Sequence, residues 1–400
     1  MTTESSQTLC GLWIDDAGKV HVSVATPDGG REERREIFRP FAWLGSESTY
    51  EGVQLERLRG EGAFGWLAHA ETLDVFEAFF KSVREGAPVD ILKPYESQWL
   101  LQKRARLYAD MHFHDLRRCQ LDIETGAAEP GTFSDARNAG DRVLAIGLQC
   151  GARRELLTLG EESDAGEKRL LLAFNDRLRE LDPDVIEGHN IFKFDFDYLR
   201  QRSRRHKVPC AWGRFGLPAE FRNSRLKVAE RWIDFSRCDL PGRAVIDTYL
   251  LVQLYDITAR EMTAYGLKDV AVYFGLTPES GEGRTYIEGA QIQHVFRQNR
   301  EDQRALPGSN TEGGDGRLEP ASSHDAQPGP LQLGIQELCR HFSLALGDFE
   351  GQGLLEGKAA RLQCHAFGEW NQTQVLGCAG PALRSCGNCG HQQGAGHESR

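Results

Sequence analysis

The stretch Cys119-Gln120-Leu121-Asp122-Ile123-Glu124-Thr125-Gly126 constrains the fold more than any other. As a strand it alternates, so Leu121 and Ile123 point to one face and Asp122 and Glu124 to the other. A central strand is ordinarily apolar on both faces. Two carboxylates on one face, followed by Thr and a Gly-containing turn, make an oxygen-rich edge suited to Mg²⁺ or Mn²⁺. Taken alone, the D-x-E triplet reads first as a half-exposed strand with a solvated acidic face, because short motifs recur by chance. What decides is whether the rest of the chain supplies a third carboxylate and a substrate groove.

In front of this strand lies a small α+β region, residues 1–110. Leu12-Trp13-Ile14, a turn at Asp15–Gly18 and the alternating Val20, Val22 and Val24 predict a hairpin. Glu36–Leu44 predicts a third strand, with Pro40 suited to an edge. Leu73, Phe76, Phe79, Phe80 and Val83 have helical spacing, and residues 95–109 predict another helix.

From 118 onward the pattern alternates. A Gly-, Ala- and Asp-rich loop over 125–140 precedes the apolar strand Val143–Leu148 and its hairpin partner Glu155–Leu159. Residues 166–181 predict a helix, Val185–Gly188 a short strand, and Phe194–His206 a helix. Ala244–Asp247 predicts a strand leading into a helix over 248–256, with further helices over 267–275 and 285–300. A hairpin followed by alternating helices and strands implies an α/β fold, a mixed sheet flanked by helices.

A second constellation runs Asp182-Pro183-Asp184-Val185-Ile186-Glu187-Gly188-His189-Asn190-Ile191-Phe192-Lys193-Phe194-Asp195-Phe196-Asp197-Tyr198-Leu199. A strand ends at Gly188, His189 and Asn190 sit on the loop, and Asp195 opens a helix. Loops at strand ends are where sheet proteins place ligands. Asp195 is therefore placed either beside Asp122 and Glu124 or as a simple helix cap. Asp247 carries the same two readings.

Together these residues resemble the 3′–5′ proofreading exonuclease domain of family B DNA polymerases, polymerase II-related and of the ribonuclease-H-like superfamily. The resemblance extends through Pro241–Tyr249 and Ala264–Ala271 and covers roughly residues 95–300. The small N-terminal β region is similar to that family's N-terminal domain. The resemblance implies a ribonuclease-H-like exonuclease domain over 111–301 that binds two divalent ions, Mg²⁺ or Mn²⁺. Asp122 and Glu124 match the first exonuclease motif, Asp195 the acid of the second, and Asn190 its polar partner. Two such ions about 4 Å apart activate a water and stabilise a leaving 3′ oxygen. The implied partner is single-stranded DNA or a frayed primer 3′ end, alongside a separate polymerase domain.

Phe192 and Phe194 are aromatics of a type that stacks bases, with core packing the competing role. The basic run Arg200, Arg202, Arg204, Arg205, His206 and Lys207 is a phosphate-contacting patch or, on the blander reading, a set of cations at a helix C-terminus. A net charge of −11 argues against broad electrostatic binding of nucleic acid and leaves room for a local basic groove.

The pattern then departs from the family. A third motif, Tyr-x-x-x-Asp, is due shortly after Arg300. No Tyr follows Tyr286, Pro307-Gly308 stops any helix, and Asp302 stands in the wrong context. Polymerase palm motifs are also absent from the sequence. Residues 301–400 contain no Tyr, one Ile (Ile335), one Val (Val375) and 17 of the 43 Gly, too few β-branched residues to build strands or a core. The expectation for 302–400 is a low-order, Gly-rich tail produced by a shift of reading frame near residue 302. Cys378, Cys386, Cys389 and His391 resemble a zinc set only loosely, and an accidental spacing is the simpler account.

The expected function is a proofreading-type exonuclease acting on DNA 3′ ends, impaired by loss of the third acid. The rival readings are a non-catalytic single-stranded nucleic-acid-binding module and a repair nuclease of the same superfold. No run of about 18 apolar residues exists and the first eight residues are polar, so the expected location is cytoplasmic, without a membrane span. The scattered cysteines of the first 300 residues are expected to be free thiols.

Overall fold

The computed structural model describes residues 8–60, 62–83, 88–109, 111–112, 115–275, 292–294 and 296–298. The tail, its cysteines, Asp302 and most of the helix expected over 285–300 lie outside the described residues. Of that helix, 292–294 and 296–298 are helical.

The N-terminal region holds two antiparallel sheets. β1 (Leu9–Ile14), β2 (Lys19–Ala25) and β3 (Arg31–Ile37) form one. β4 (Phe41–Leu44), β5 (Val53–Arg57), β6 (Trp66–Ala70) and β7 (Val89–Asp90) form the other, in the order β5-β6-β4-β7. The expected single strand over Glu36–Leu44 is thus two strands in different sheets. Pro40 has no N–H for a ladder, and the chain changes sheet there. Helix α1 (Leu73–Val83) buries Leu73, Phe76 and Phe79, and α2 (Tyr95–Lys103) buries Trp99 and Leu100.

The second region is a five-stranded mixed sheet. Its strands are β8 (Arg118–Gly126), β9 (Arg142–Cys150), β10 (Arg153–Thr158), β11 (Val185–Gly188) and, later in the chain, β14 (Ala244–Asp247). The order is β10-β9-β8-β11-β14, with β9 antiparallel to β8 and β10, and β11 parallel to β8 and β14. This is the expected mixed sheet, and the acidic strand is at its centre. Helices α3 (Asp164–Leu181) and α4 (Asp195–His206) pack on it, with α5 (Thr248–Ala259) and α6 (Leu267–Tyr273) beyond.

The hydrophobic face of β8 (Cys119, Leu121, Ile123) joins Leu170, Leu171, Phe174 and Leu178 of α3 and Phe196 and Leu199 of α4 in one core. Trp212 stacks on Phe196 at 5.4 Å and meets Phe174 edge-on at 5.8 Å. Each such buried aromatic contributes roughly 1.5–3 kcal/mol. A hairpin of β12 (Glu220–Val228) and β13 (Arg231–Asp239) completes this region. It is not legible in the sequence, because charged residues occupy most of its outward positions. Among the described residues no helix is long and apolar enough to cross a membrane.

Candidate active site

The alternation of β8 places Asp122 and Glu124 on the half-buried face, while Leu121 and Ile123 are in the core. Gly126 ends the strand where a Cβ would strike Leu144 at 2.9 Å and Gln293 at 3.2 Å, so the helical segment around Gln293 closes on the strand only because residue 126 is glycine.

The second acid-bearing element arrives from the neighbouring strand. β11 ends at Gly188, and the loop turns through Asn190 at φ +65°. Asp247, at the end of β14, holds that loop. Its carboxylate accepts the N–H groups of Asn190 at 2.9 Å and Phe192 at 3.3 Å and also caps α5 through Tyr249 N–H at 2.9 Å. His189 is tied down at both ring nitrogens, with Tyr265 O at 2.9 Å and Thr248 Oγ1 at 3.0 Å. The carbonyl can only accept, so Nε2 carries the proton. The result is that α4 starts beside β8, and the buried Asp195 carboxylate accepts the Ile123 N–H at 3.2 Å. Ile123 lies between Asp122 and Glu124 in the sequence, so Asp195 reaches the strand that carries both acids. Asp195 is therefore more than a helix cap.

The electrostatics of this set are unfavourable as it stands. Burial, and then Glu124, push Asp122 up to about 7. Burial raises Glu124 and Lys268 partly offsets it. Burial, Asp122 and Asp247 hold Asp195 well above the usual carboxylate range. Asp247 is itself pushed up to about 6 by burial, against the hydrogen bonds it accepts. Clustered carboxylates at a sheet centre are what a hard divalent cation takes as ligands, and in that respect the residues fit Mg²⁺ or Mn²⁺. Among the described residues no three His, Cys, Asp or Glu groups converge as a closed metal cluster. Asp122, Glu124 and Asp195 alone do not close a ligand set.

The other expected site residues divide. Phe194, at the start of α4, is 39% exposed, and Arg204 is exposed. Arg200 is half-buried with its guanidinium 4.4 Å from the Phe221 ring centroid. Phe192 and Arg202 are corrected. Phe192 is 1% exposed and stacks on Phe235 at 5.3 Å, which leaves no face for a base. Arg202 is 0% exposed, pairs with Glu167 through Nε at 2.8 Å and Nη2 at 2.6 Å, and donates to Ala136 O, Asn138 O and Ala139 O. It organises the loop over 127–141. His206, one turn on, joins the same Glu167 at 2.8 Å. The basic run therefore breaks up on the helix, since positions 202 and 206 share the inward face.

Sequence reasoning missed Phe133. It is 87% exposed on the loop leaving β8, which is anchored by Thr125–Ser134 (2.6 Å) and by Asp141 accepting Ala128 and Asp135 N–H groups at 2.8 Å. Its only sequence signal was an aromatic in a polar loop.

A sequence model described as "DNA polymerase family B, exonuclease domain" matches residues 92–270. The chain is similar to DNA polymerase 120R of Invertebrate iridescent virus 3, 29% identical over 207 residues, which are 46% of this chain and 17% of that protein. It is similar to the DNA polymerase of Archaeoglobus fulgidus, 27% identical over 167 residues, covering 41% of this chain and 18% of the relative. Over 75 residues it is 41% identical to DNA polymerase 2 of Aeropyrum pernix, covering 18% and 9%. Among solved structures, the family B DNA polymerase from Pyrobaculum calidifontis shares the fold, with a TM-score of 0.57 and 17% identity over 92% of this chain and 47% of that one. The chain spans less than a fifth of the length of these curated relatives.

Proposed function

We propose, given that residues 92–270 form a family B DNA polymerase exonuclease domain, that the acidic edge of β8 is a 3′–5′ exonuclease centre for DNA 3′ ends. The observation that carries this reading is the hydrogen bond from Ile123 N–H to Asp195, which brings a third acid to the strand that carries Asp122 and Glu124. Asp122, Glu124 and Asp195 would hold two divalent ions. When bound, Mg²⁺ or Mn²⁺ supplies an activated water and neutralises charge on the leaving 3′ oxygen.

The chain's own groups position the substrate. Asp195 is fixed by the Ile123 amide and by the α4 N-terminus, whose dipole favours negative charge there. The exposed rings of Phe194 and Phe133 are available to stack unpaired bases, which is worth about 1–3 kcal/mol per base. Arg204 supplies a phosphate contact. Asn190, held in its left-handed turn by Asp247, borders the acids from the loop. The substrate is single-stranded DNA or a frayed primer end delivered by a polymerase domain.

The missing Tyr-x-x-x-Asp weakens one ion site, so this polypeptide is nearly inactive. The test is incubation of the purified chain with end-labelled single-stranded DNA and Mn²⁺. Slow release of nucleoside monophosphates, abolished by Asp122→Ala, is expected. Rapid degradation abolished by Asp122→Ala would overturn the impairment, and degradation indifferent to Asp122→Ala would overturn the site. Binding without cleavage, unaffected by that substitution, would identify a binding module instead. The nucleotide sequence across codons 295–310 tests the frame shift, which fails if no alternate frame restores a Tyr-x-x-x-Asp helix.

A further inference from the structure

We propose that Cys119 and Cys150 form a peroxide-sensitive dithiol that closes to a disulfide across the central strands β8 and β9. The two cysteines are direct partners in the antiparallel register, Cys119 opposite Cys150. Directly opposed residues carry Cβ atoms about 4.5–5.5 Å apart, and a disulfide needs about 3.5–4.5 Å. The required movement is therefore a small closing of the strand ends. Both thiols are free.

The pair is also chemically asymmetric. Cys119 is fully buried among the core residues behind β8, whereas Cys150 is half-buried at the strand end next to the turn into β10. The Cys119 thiol lies within hydrogen-bonding reach of the Cys150 sulfur, and Arg117 and Arg153 add positive charge beside it. The hydrogen bond from Cys119 and these charges bring Cys150 down to about 7, while that same hydrogen bond and burial raise Cys119 well above the ordinary thiol value. An accessible thiolate backed by a buried thiol is the arrangement of an attacking and a resolving cysteine.

The chemistry balances with a hydroperoxide as oxidant. The Cys150 thiolate attacks the peroxide oxygen, the O–O bond breaks, and a sulfenic acid and hydroxide result. The Cys119 sulfur then attacks the Cys150 sulfur and the S–O bond breaks. The departing hydroxide takes the Cys119 proton as water. Two thiols lose two electrons, and the peroxide gains them.

Cys210 is the internal control, since it is equally half-buried but its thiol is raised by burial. The experiment treats the full chain with limiting hydrogen peroxide under native conditions and maps cysteines by mass spectrometry without reduction. A peptide pair joined through Cys119 and Cys150 is expected, together with alkylation of Cys150 at pH 7.5 at least about tenfold faster than Cys210. Cys119→Ala should convert the disulfide into a sulfenic acid trappable at Cys150, and Cys150→Ser should leave Cys119 unreacted. An intact fold in both variants is read from the far-ultraviolet circular dichroism. Oxidation of Cys210 before Cys150, or no linked pair when Cys150 has reacted, would overturn the proposal.

Discussion

The molecule holds its buried acids in two different ways. At Asp122, Glu124 and Asp195 burial drives the carboxylates toward their neutral forms, joined at Asp122 and Asp195 by neighbouring acids. Around Glu167, and around Asp182 and Asp184, arginines meet the charge directly. Glu167 has Arg202 and His206. Asp184 receives Arg31 from β3, at 3.0 and 2.5 Å, and Arg214 at 3.0 Å, while Asp182 takes Arg214 at 2.8 Å and Arg243 at 2.9 Å. Glu167 and Asp184 are held below the usual carboxylate range, burial being outweighed by the arginines together with the backbone N–H groups of Val143 and Arg117. The compensated acids hold elements together, and Asp184 in particular fastens the N-terminal sheet to the mixed sheet through Arg31. Among the described residues, the acids of the first set have no arginine of this kind against them.

The sharpest way to break this contrast is to neutralise one acid from each set. Glu167→Gln leaves Arg202 buried without a countercharge and should cost about 3–5 kcal/mol, read as a lower urea midpoint. Asp122→Asn should be neutral or stabilising in metal-free buffer. Equal losses in both variants would show that the two sets do the same job.

Asp184→Ala is the next largest. It strands Arg31, leaves Arg214 with Asp182 alone, and should cost about 3 kcal/mol. Limited proteolysis should now cut between the N-terminal region and β8. Cleavage confined to the surface of α3 would place the arginine cluster's role elsewhere.

The structural acids were the least legible part of the sequence. Asp182 and Asp184 were quoted only as neighbours of the second constellation. Their partners Arg31 and Arg243 lie 153 and 61 residues away, a separation no local pattern encodes. Arg202 was misread for the same reason, since its partner Glu167 is 35 residues upstream. Strand β8, by contrast, announced itself through its period-two alternation, and a mixed sheet followed from a hairpin and the alternating helices and strands after it. Asp195 was legible as a candidate because a helix had to start after the β11 loop. Asp247 was seen but undecided, since its service to Asn190 and Phe192 depends on β14 lying beside β11.

Metal addition should then separate the sets by a further step. Mn²⁺ at a hundredfold above its dissociation constant stabilises a one-site fold by about 2.7 kcal/mol. The wild type should show a rise in Tm reversed by a chelator, and Asp122→Asn and Asp195→Asn should not. Arg204→Ala should keep the rise. An undiminished rise in Asp122→Asn would place the ion somewhere other than β8.

The smallest effect is the most discriminating, because the two sets predict opposite signs. A raised carboxylate binds more protons folded than unfolded between its two pKa values, so stability falls as pH rises through that window. For Asp122 the window runs from about 4, the unfolded value, to about 7. Asp247 adds the same sign up to about 6. Glu167 and Asp184 are lowered, so their contribution is complete above the unfolded value and is lost only as pH falls through the folded one. His189 is lowered by burial, so it opposes Asp122 by stabilising the fold above its unfolded value near 6.5. Subtracting the Asp122→Asn profile from the wild type removes His189, Asp247, Glu167 and Asp184 together. In metal-free buffer the difference should fall by about 1–2 kcal/mol between pH 6 and pH 8. Saturating Mg²⁺ should flatten it, because the bound cation replaces the proton as the partner of the ionised carboxylate. A difference that is flat without metal would mean that Asp122 is as well compensated as Asp184, and the contrast between the two sets would be lost.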